Sequence, residues 1–113
     1  MKLVRDNIPG MHAAGQLGEH PNGSDHRDSQ VFRRASPAEY RLALRTKLAE
    51  ETGEAISAVR REHILEELAD VYEVLMTLVT DEGWTLEDLT NRADGKLQKY
   101  GGFYDGWVLE EKG

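Results

Sequence analysis

Two pairs of acidic residues interrupt stretches of sequence that otherwise have the pattern of amphipathic helices. The first pair is Glu51 and Glu54, in KLAEETGEAI, and the second is Glu67 and Asp70, in EELADV. A spacing of three residues places two side chains about 60° apart on a helix, so both acids of a pair share one side of it. The chemistry that such paired carboxylates could perform depends on where that side points.

The first acid of each pair lies inside the apolar stripe of its helix. At about 100° per residue, several apolar side chains fall within about 60° of Glu51 or Glu67. They are Leu44, Leu48, Ala55, Ile64, Val71, Val74 and Leu78. Glu54 and Asp70 lie about 60° to the other side, at the edges of the two stripes. The pattern therefore directs two carboxylates into a helix interface and two more to its border.

Four ionised carboxylates close together in a helix interface would repel one another and lose their hydration. Protonation, pairing with basic residues or a divalent cation could each remove this cost. Lys47 and His63 precede Glu51 and Glu67 by one turn and could pair with them. Two bases do not balance four acids, so a hard cation that prefers carboxylate oxygen, Mg²⁺ or Mn²⁺, explains the pattern best. The alternative interpretation is that both pairs belong to solvated helix faces.

The first pair requires a helix that begins near residue 36. Ser36 is suited to cap it, Pro37 to its first position, and Glu39 to complete a capping box. Only Gly53 weakens the helical pattern between there and about Val59.

The second pair requires another helix, predicted from Glu62 to about Glu82. A single straight helix through both pairs would place Glu51 and Glu67 about 160° apart, so their stripes could not face one partner. The sequence therefore predicts an antiparallel hairpin with a turn near residues 60–63.

The remaining chain is predicted to be one more helix and several irregular segments. Thr85 is a cap for a third helix that ends at Gly101 and Gly102. Residues 10–30 have a loop composition, with at most one helical turn near 11–16. The two histidines of the loop at 18–30, His20 and His26, are interpreted as solvated. Short β-like segments are predicted near 31–35 and 104–109.

Composition narrows the class of protein. The chain has 113 residues, enough for one domain, and its 21 acidic residues exceed its 14 basic ones. The net charge of −7 argues against binding a nucleic-acid polymer through a broad basic surface. The sequence has no cysteine, no signal-peptide pattern and no apolar run of membrane-spanning length. We therefore expect a cytoplasmic protein that does not bind membranes.

The acidic motifs resemble those of a known superfamily. EETGE at 50–54 and ELAD at 67–70 fit the EExxE…ExxD pattern of the MazG-like all-α nucleotide pyrophosphatases. KLVRDNIP near the amino terminus and GGFYDGWVL near the carboxyl terminus are similar to its phosphoribosyl-ATP pyrophosphohydrolase-like branch, whose members are predicted house-cleaning enzymes. The resemblance runs in order along nearly the whole chain. The sparse basic run GKLQKY and the long loop at 18–30 depart from it and leave the substrate open.

The resemblance implies a single MazG-like domain over residues 1–113. Its fold would be all-α: a helical hairpin and a third helix in a bundle completed by a second copy, as a homodimer or homotetramer. It also implies Mg²⁺-dependent hydrolysis of a nucleoside triphosphate between the α- and β-phosphates, giving a monophosphate and pyrophosphate. The alternatives are phosphoribosyl-ATP pyrophosphohydrolase activity in histidine biosynthesis and a non-catalytic, acidic helical interaction module.

The same resemblance assigns roles to individual residues. The metal ligands by motif position are Glu51, Glu54, Glu67 and Asp70. Glu50 or Glu54 would accept the proton of the attacking water. The expected substrate-binding residues are Lys2, Arg5, Lys47, Lys96, Gly101 and Gly102. Tyr100, Phe103 or Trp107 could stack on the base.

Overall fold

A computed structural model describes residues 1–16 and 32–111, and this part of the chain is entirely helical or irregular. Its helices are α1 (Ile8–Ala13), α2 (Pro37–Ser57), α3 (Arg61–Asp81) and α4 (Leu86–Tyr100). The all-α prediction is confirmed. None of these helices combines the length and apolarity that crossing a bilayer requires. His20 and His26 lie outside the described residues.

Helix α2 begins with the predicted capping box. The Glu39 N–H donates to Ser36 Oγ at 3.3 Å, and the Ser36 N–H donates to Glu39 Oε1 at 3.0 Å. Arg33 donates two further hydrogen bonds to the Glu39 carboxylate, at 2.7 and 2.9 Å. The Arg33 guanidinium and the capped backbone together lower the pKa of Glu39 to about 2. The start of α2 is therefore held by an ionised acid.

Helices α2 and α3 form the predicted antiparallel hairpin. They are joined by three residues, Ala58 to Arg60, whose ends have extended backbone angles that interrupt the helix. Arg41, near the start of α2, lies 3.7 Å from Asp81 at the end of α3. The break begins two residues before the start of the predicted turn at 60–63. Val59, near which the first helix was predicted to end, lies in this link and is exposed.

The seam between α2 and α3 contains a small core. The buried apolar side chains of the described chain are Ala43, Leu44 and Val79. Glu51 is buried with them, at 8% exposure. The Glu51 carboxylate therefore lies in the seam, on the same side of α2 as the apolar stripe.

The carboxyl-terminal third packs only lightly against this hairpin. Thr85 and Asp88 form a capping box at the start of α4, and Gly101 ends the helix with φ +81°. Phe103, Tyr104 and Trp107 follow α4 and are at least 92% exposed. They belong to a carboxyl-terminal segment that leaves the hairpin core largely uncovered.

Three details of the predicted elements are wrong. Residues 32–35 and 104–109 are irregular rather than β-strands, because no neighbouring described segment supplies the backbone partners that a strand needs. The helical turn predicted near 11–16 begins earlier, as α1, and Pro9 lies in its first turn. Residue 31 lies outside the described chain.

Candidate metal and phosphate site

Three of the four predicted metal ligands meet in the seam of the hairpin. Carboxylate oxygens of Glu51, Glu54 and Glu67 all lie within 4.8 Å of one another. Helix α2 contributes the first two and α3 the third, and Glu67 reaches the seam because the hairpin turns its stripe back onto α2. Separations of this size allow one cation to contact an oxygen from each residue.

Two buried oxygens of this cluster have no hydrogen-bond partner within the part of the chain that the structure describes. They are Glu51 Oε2 and Glu67 Oε2. A buried, unpartnered carboxylate oxygen costs free energy that a bound cation would recover. Burial also raises the pKa of Glu51, and the negative charges of Glu54 and Asp70 raise it further, whereas Lys47 opposes the shift. The donor set fits a hard divalent cation.

Among the described residues, Lys47 is the basic residue that pairs with the cluster. Its Nζ lies 3.3 Å from Glu51 Oε1 and 3.6 Å from Glu50 Oε1, and its side chain is only 17% exposed. Lys2 approaches Glu50 from the amino-terminal segment, at 3.5 Å. His63 is exposed on α3, and no ion pair joins it to Glu67 in the described chain. One ammonium group thus offsets part of the charge of the cluster.

The fourth predicted ligand, Asp70, lies beside the cluster and pairs with Arg5. Arg5 bonds to both Asp70 and Glu73, one turn apart on α3. These carboxylates raise the pKa of the Arg5 guanidinium, and the main cause is the hydrogen bond that Arg5 donates to Glu73. The amino-terminal segment, residues 1–6, is therefore tied to α2 through Lys2 and to α3 through Arg5.

A cavity of about 220 Å³ opens between this amino-terminal segment and the hairpin. Leu3, Val4, Leu44 and Val74 form its apolar walls. Its polar lining consists of Arg5, Asp6, Tyr40, Lys47, Glu51, Asp70, Glu73 and Thr77. Burial and the charges of Asp81 and Asp6 raise the pKa of Tyr40, which keeps its hydroxyl protonated and able to donate. The cavity joins an apolar recess to the acids and bases of the site.

The other predicted substrate-binding residues lie elsewhere. Lys96 lines a second, open groove of about 590 Å³ along α4, which shares no residue with the first cavity. Gly101 and Gly102 follow at the end of α4, and a Cβ on Gly102 would lie 3.3 Å from the side chains of Leu97 and Tyr104. Their roles in substrate binding stay predictions.

Sequence reasoning missed several residues that line the cavity. Glu73 follows Asp70 by three residues, so its spacing already indicated a third acid on the same side of α3 as Glu67 and Asp70. Tyr40 and Thr77 gave no such signal, because isolated residues of these types are common in any helix. The packing of the amino-terminal segment over the hairpin is what makes Tyr40 and Thr77 part of the cavity lining.

Comparison with known proteins agrees with this geometry. The profile of the MazG nucleotide pyrophosphohydrolase domain matches residues 40–100, more than half of the chain and the part that contains all four predicted ligands. Neither the comparison with curated proteins nor that with solved structures gives a significant match. The matched span includes α3 and α4 entirely and nearly all of α2. The chain belongs to the MazG nucleotide pyrophosphohydrolase family.

Proposed function

We propose that this protein hydrolyses nucleoside triphosphates between the α- and β-phosphates, depends on Mg²⁺ for this reaction, and removes non-canonical nucleotides. The observation that carries the proposal is the pair of buried, unpartnered oxygens on Glu51 and Glu67, within a three-carboxylate cluster and beside basic side chains. A solvated acidic face would leave such oxygens to water. Buried in a seam, they favour a cation that brings an anionic substrate with it.

Glu51, Glu54, Glu67 and Asp70 would hold the cation, with Mn²⁺ as a possible substitute for Mg²⁺. When bound, a divalent cation offsets charge on phosphate oxygens and makes water a better nucleophile at neutral pH. Glu51 and Glu67 supply the buried oxygens, while Glu54 is exposed at the edge of the seam. Asp70 lies within reach of the same cavity as Glu51.

The other groups of the site suit a phosphate chain. Lys2, Arg5 and Lys47 present cationic donors on one side of the cluster. Glu50 stands between two of these lysines, and its half-buried carboxylate is one candidate for accepting a proton from water; exposed Glu54 is the other. The apolar recess beside them can take a base or sugar and exclude water from it.

The test measures pyrophosphate release from a panel of canonical and damaged nucleoside triphosphates, with and without Mg²⁺. Glu67→Gln should lower kcat/KM by about 100-fold or more, because it removes one charged ligand and leaves its shape. The matched control is Glu66→Gln, which removes an exposed charge from the preceding position and should change kcat/KM less than about twofold. Undiminished release by Glu67→Gln would refute the catalytic assignment.

The same panel separates the alternative functions. Phosphoribosyl-ATP, added to the panel, should be hydrolysed no faster than the best triphosphate if the house-cleaning role is correct. A clear preference for it would assign the histidine-pathway reaction instead. A chain that binds nucleotide or cation but releases no pyrophosphate from any compound would be a non-catalytic acidic module.

A further inference from the structure

Arg5 joins the amino-terminal segment to two acids of α3, of which only one is a predicted metal ligand. Asp70 is a predicted metal ligand, whereas Glu73 lies one turn further along α3 and belongs to no metal motif. The guanidinium bonds to both at once, through different nitrogens. One of the two contacts therefore uses a carboxylate that the cation site also needs.

Because Asp70 contacts Arg5 and is also a predicted metal ligand, Arg5 and a bound cation would compete for it. A guanidinium and a divalent cation repel each other, and each lowers the negative charge that Asp70 can offer the other. Without a second partner, Arg5 would either hold Asp70 away from the cluster or leave the site when the cation binds. Glu73 supplies that second partner, and it lines the same cavity as Arg5 and Asp70.

We propose that Glu73 is a positioning residue for Arg5. It keeps the guanidinium at the mouth of the cavity while Asp70 turns from Arg5 to the cation. The nitrogen that Asp70 releases is then free to donate to a phosphate oxygen. This inference rests on the proposed function for its purpose, but the exchange of Asp70 between Arg5 and a cation can be measured without any nucleotide.

The exchange predicts effects of opposite sign on cation affinity. Arg5→Ala frees Asp70 and should tighten Mg²⁺ or Mn²⁺ binding. Glu73→Gln leaves Arg5 with Asp70 as its strongest partner and should weaken it. Both side chains are more than half exposed, at 59% and 56%, so each change should be about two- to fivefold.

The decisive measurement is a double-mutant cycle on cation affinity, by titration calorimetry of the full chain with Mn²⁺ alone. If Glu73 acts through Arg5, Glu73→Gln should have no effect once Arg5→Ala is present, beyond the effect of Glu66→Gln. Glu66→Gln serves as the control because it removes one exposed charge from the same helix without touching Arg5. Circular dichroism verifies that each variant keeps its helices.

Equal weakening by Glu73→Gln in both backgrounds would overturn the inference, since a simple charge effect needs no Arg5. Unchanged affinity in Arg5→Ala would overturn it too, as would an unaltered chain that binds no cation. In the assay with nucleotide, Glu73→Gln should raise KM about fivefold and change kcat less than twofold.

The two proposals can fail separately. An intact cycle without pyrophosphate release would leave the exchange standing and remove the proposed function. If pyrophosphate release depends on Glu67 but the effects of Glu73→Gln and Arg5→Ala on cation affinity are additive, the proposed function stands and the exchange of Asp70 is refuted.

Discussion

At the scale of single residues, Lys47 offsets the negative charge of the buried Glu51 carboxylate. Its ammonium group contacts Glu50 and Glu51 while most of its side chain is shielded from water. A bound cation would supply the same compensation more strongly. Lys47 and the cation are therefore expected to support one carboxylate by alternative means.

Lys47→Met keeps most of the apolar stem and removes the charge. We expect the free energy of unfolding in EDTA to fall by about 1–3 kcal/mol, because Glu51 is then buried without a basic partner. Saturating Mg²⁺ should restore more stability to this variant than to the unaltered chain. Urea denaturation with and without Mg²⁺ measures both effects.

The control for this change is Lys96→Met on exposed α4, which should alter stability by less than about 0.5 kcal/mol. Equal stabilisation of Lys47→Met and the unaltered chain by Mg²⁺ would show that Lys47 and the cation do not serve the same carboxylate.

The residues of the site differ in how far sequence could predict them. Periodicity placed Glu51 and Glu67 on facing stripes, because neighbours along one helix determine which side a residue shares. It could not predict that Arg5 meets Glu73, since 68 positions separate them and only tertiary packing brings them together. The contact of Lys47 with Glu51 could be predicted, because residues four positions apart on one helix are neighbours.

At the scale of elements, the start of α2 depends on an ionised Glu39. Its pKa of about 2 in the folded chain lies below its ordinary value of 4.5, so the unfolded chain binds the proton more readily. The stabilisation is complete above the ordinary pKa and is lost as pH falls from about 5 towards 2. The lost contacts are those with Arg33 and the Ser36 backbone.

Glu39→Gln tests this linkage. We expect the variant to melt below the unaltered chain at pH 6, and the difference to shrink steadily as the pH is lowered towards 2. Thermal unfolding followed by circular dichroism across this range measures it. Glu62→Gln, on the exposed start of α3, should show no comparable convergence. A constant difference for Glu39→Gln at all pH values would contradict the ionised cap.

The seam of α2 and α3 offers a second test at this scale. Leu44 is 2% exposed and Leu42, two positions earlier on the same helix, is 63% exposed. Leu44→Ala should lower the free energy of unfolding by about 3 kcal/mol, because it opens a cavity in the seam. Leu42→Ala should cost less than about 1 kcal/mol. Chemical denaturation of the two variants compares them, and similar losses would contradict the orientation of α2.

The elements themselves were largely predictable. Capping residues and apolar stripes are local signals, and they gave the starts of α2 and α4 and the hairpin between α2 and α3. The predicted β-like segments were wrong at 32–35 and 104–109, because β-forming residues make a strand only where another strand can pair with them. Whether such a partner exists is a property of the whole chain.

At the scale of the whole molecule, much apolar surface is left exposed. Leu65, Leu68 and Tyr72 form a stripe on α3, which we term the α3 face, and each is at least 52% exposed. The carboxyl-terminal segment adds Trp107 and Leu109, exposed above 90%. The few buried apolar residues of the described chain are a weak core for a domain of this size. We therefore propose that a second copy covers the α3 face, in a dimer or a larger assembly.

Such an assembly makes stability depend on concentration. The thermal midpoint of the unaltered chain should rise by several degrees for each tenfold increase in protein concentration. Leu68→Glu should yield monomers in sedimentation experiments and remove this dependence, whereas Leu42→Glu, exposed on α2 outside the α3 face, should not. An unaltered chain that sediments as a monomer, with the same thermal midpoint at every protein concentration, would refute the proposal.

The three-residue link between α2 and α3 has a kinetic consequence. All four acids belong to one hairpin closed by that short link, and contacts between near neighbours in sequence form rapidly. We therefore expect the carboxylates to approach one another early in folding, when their mutual repulsion slows the closure of the seam. Mg²⁺ should then accelerate refolding as well as retard unfolding, so the cation would act as a partner in the nucleus from which the protein assembles.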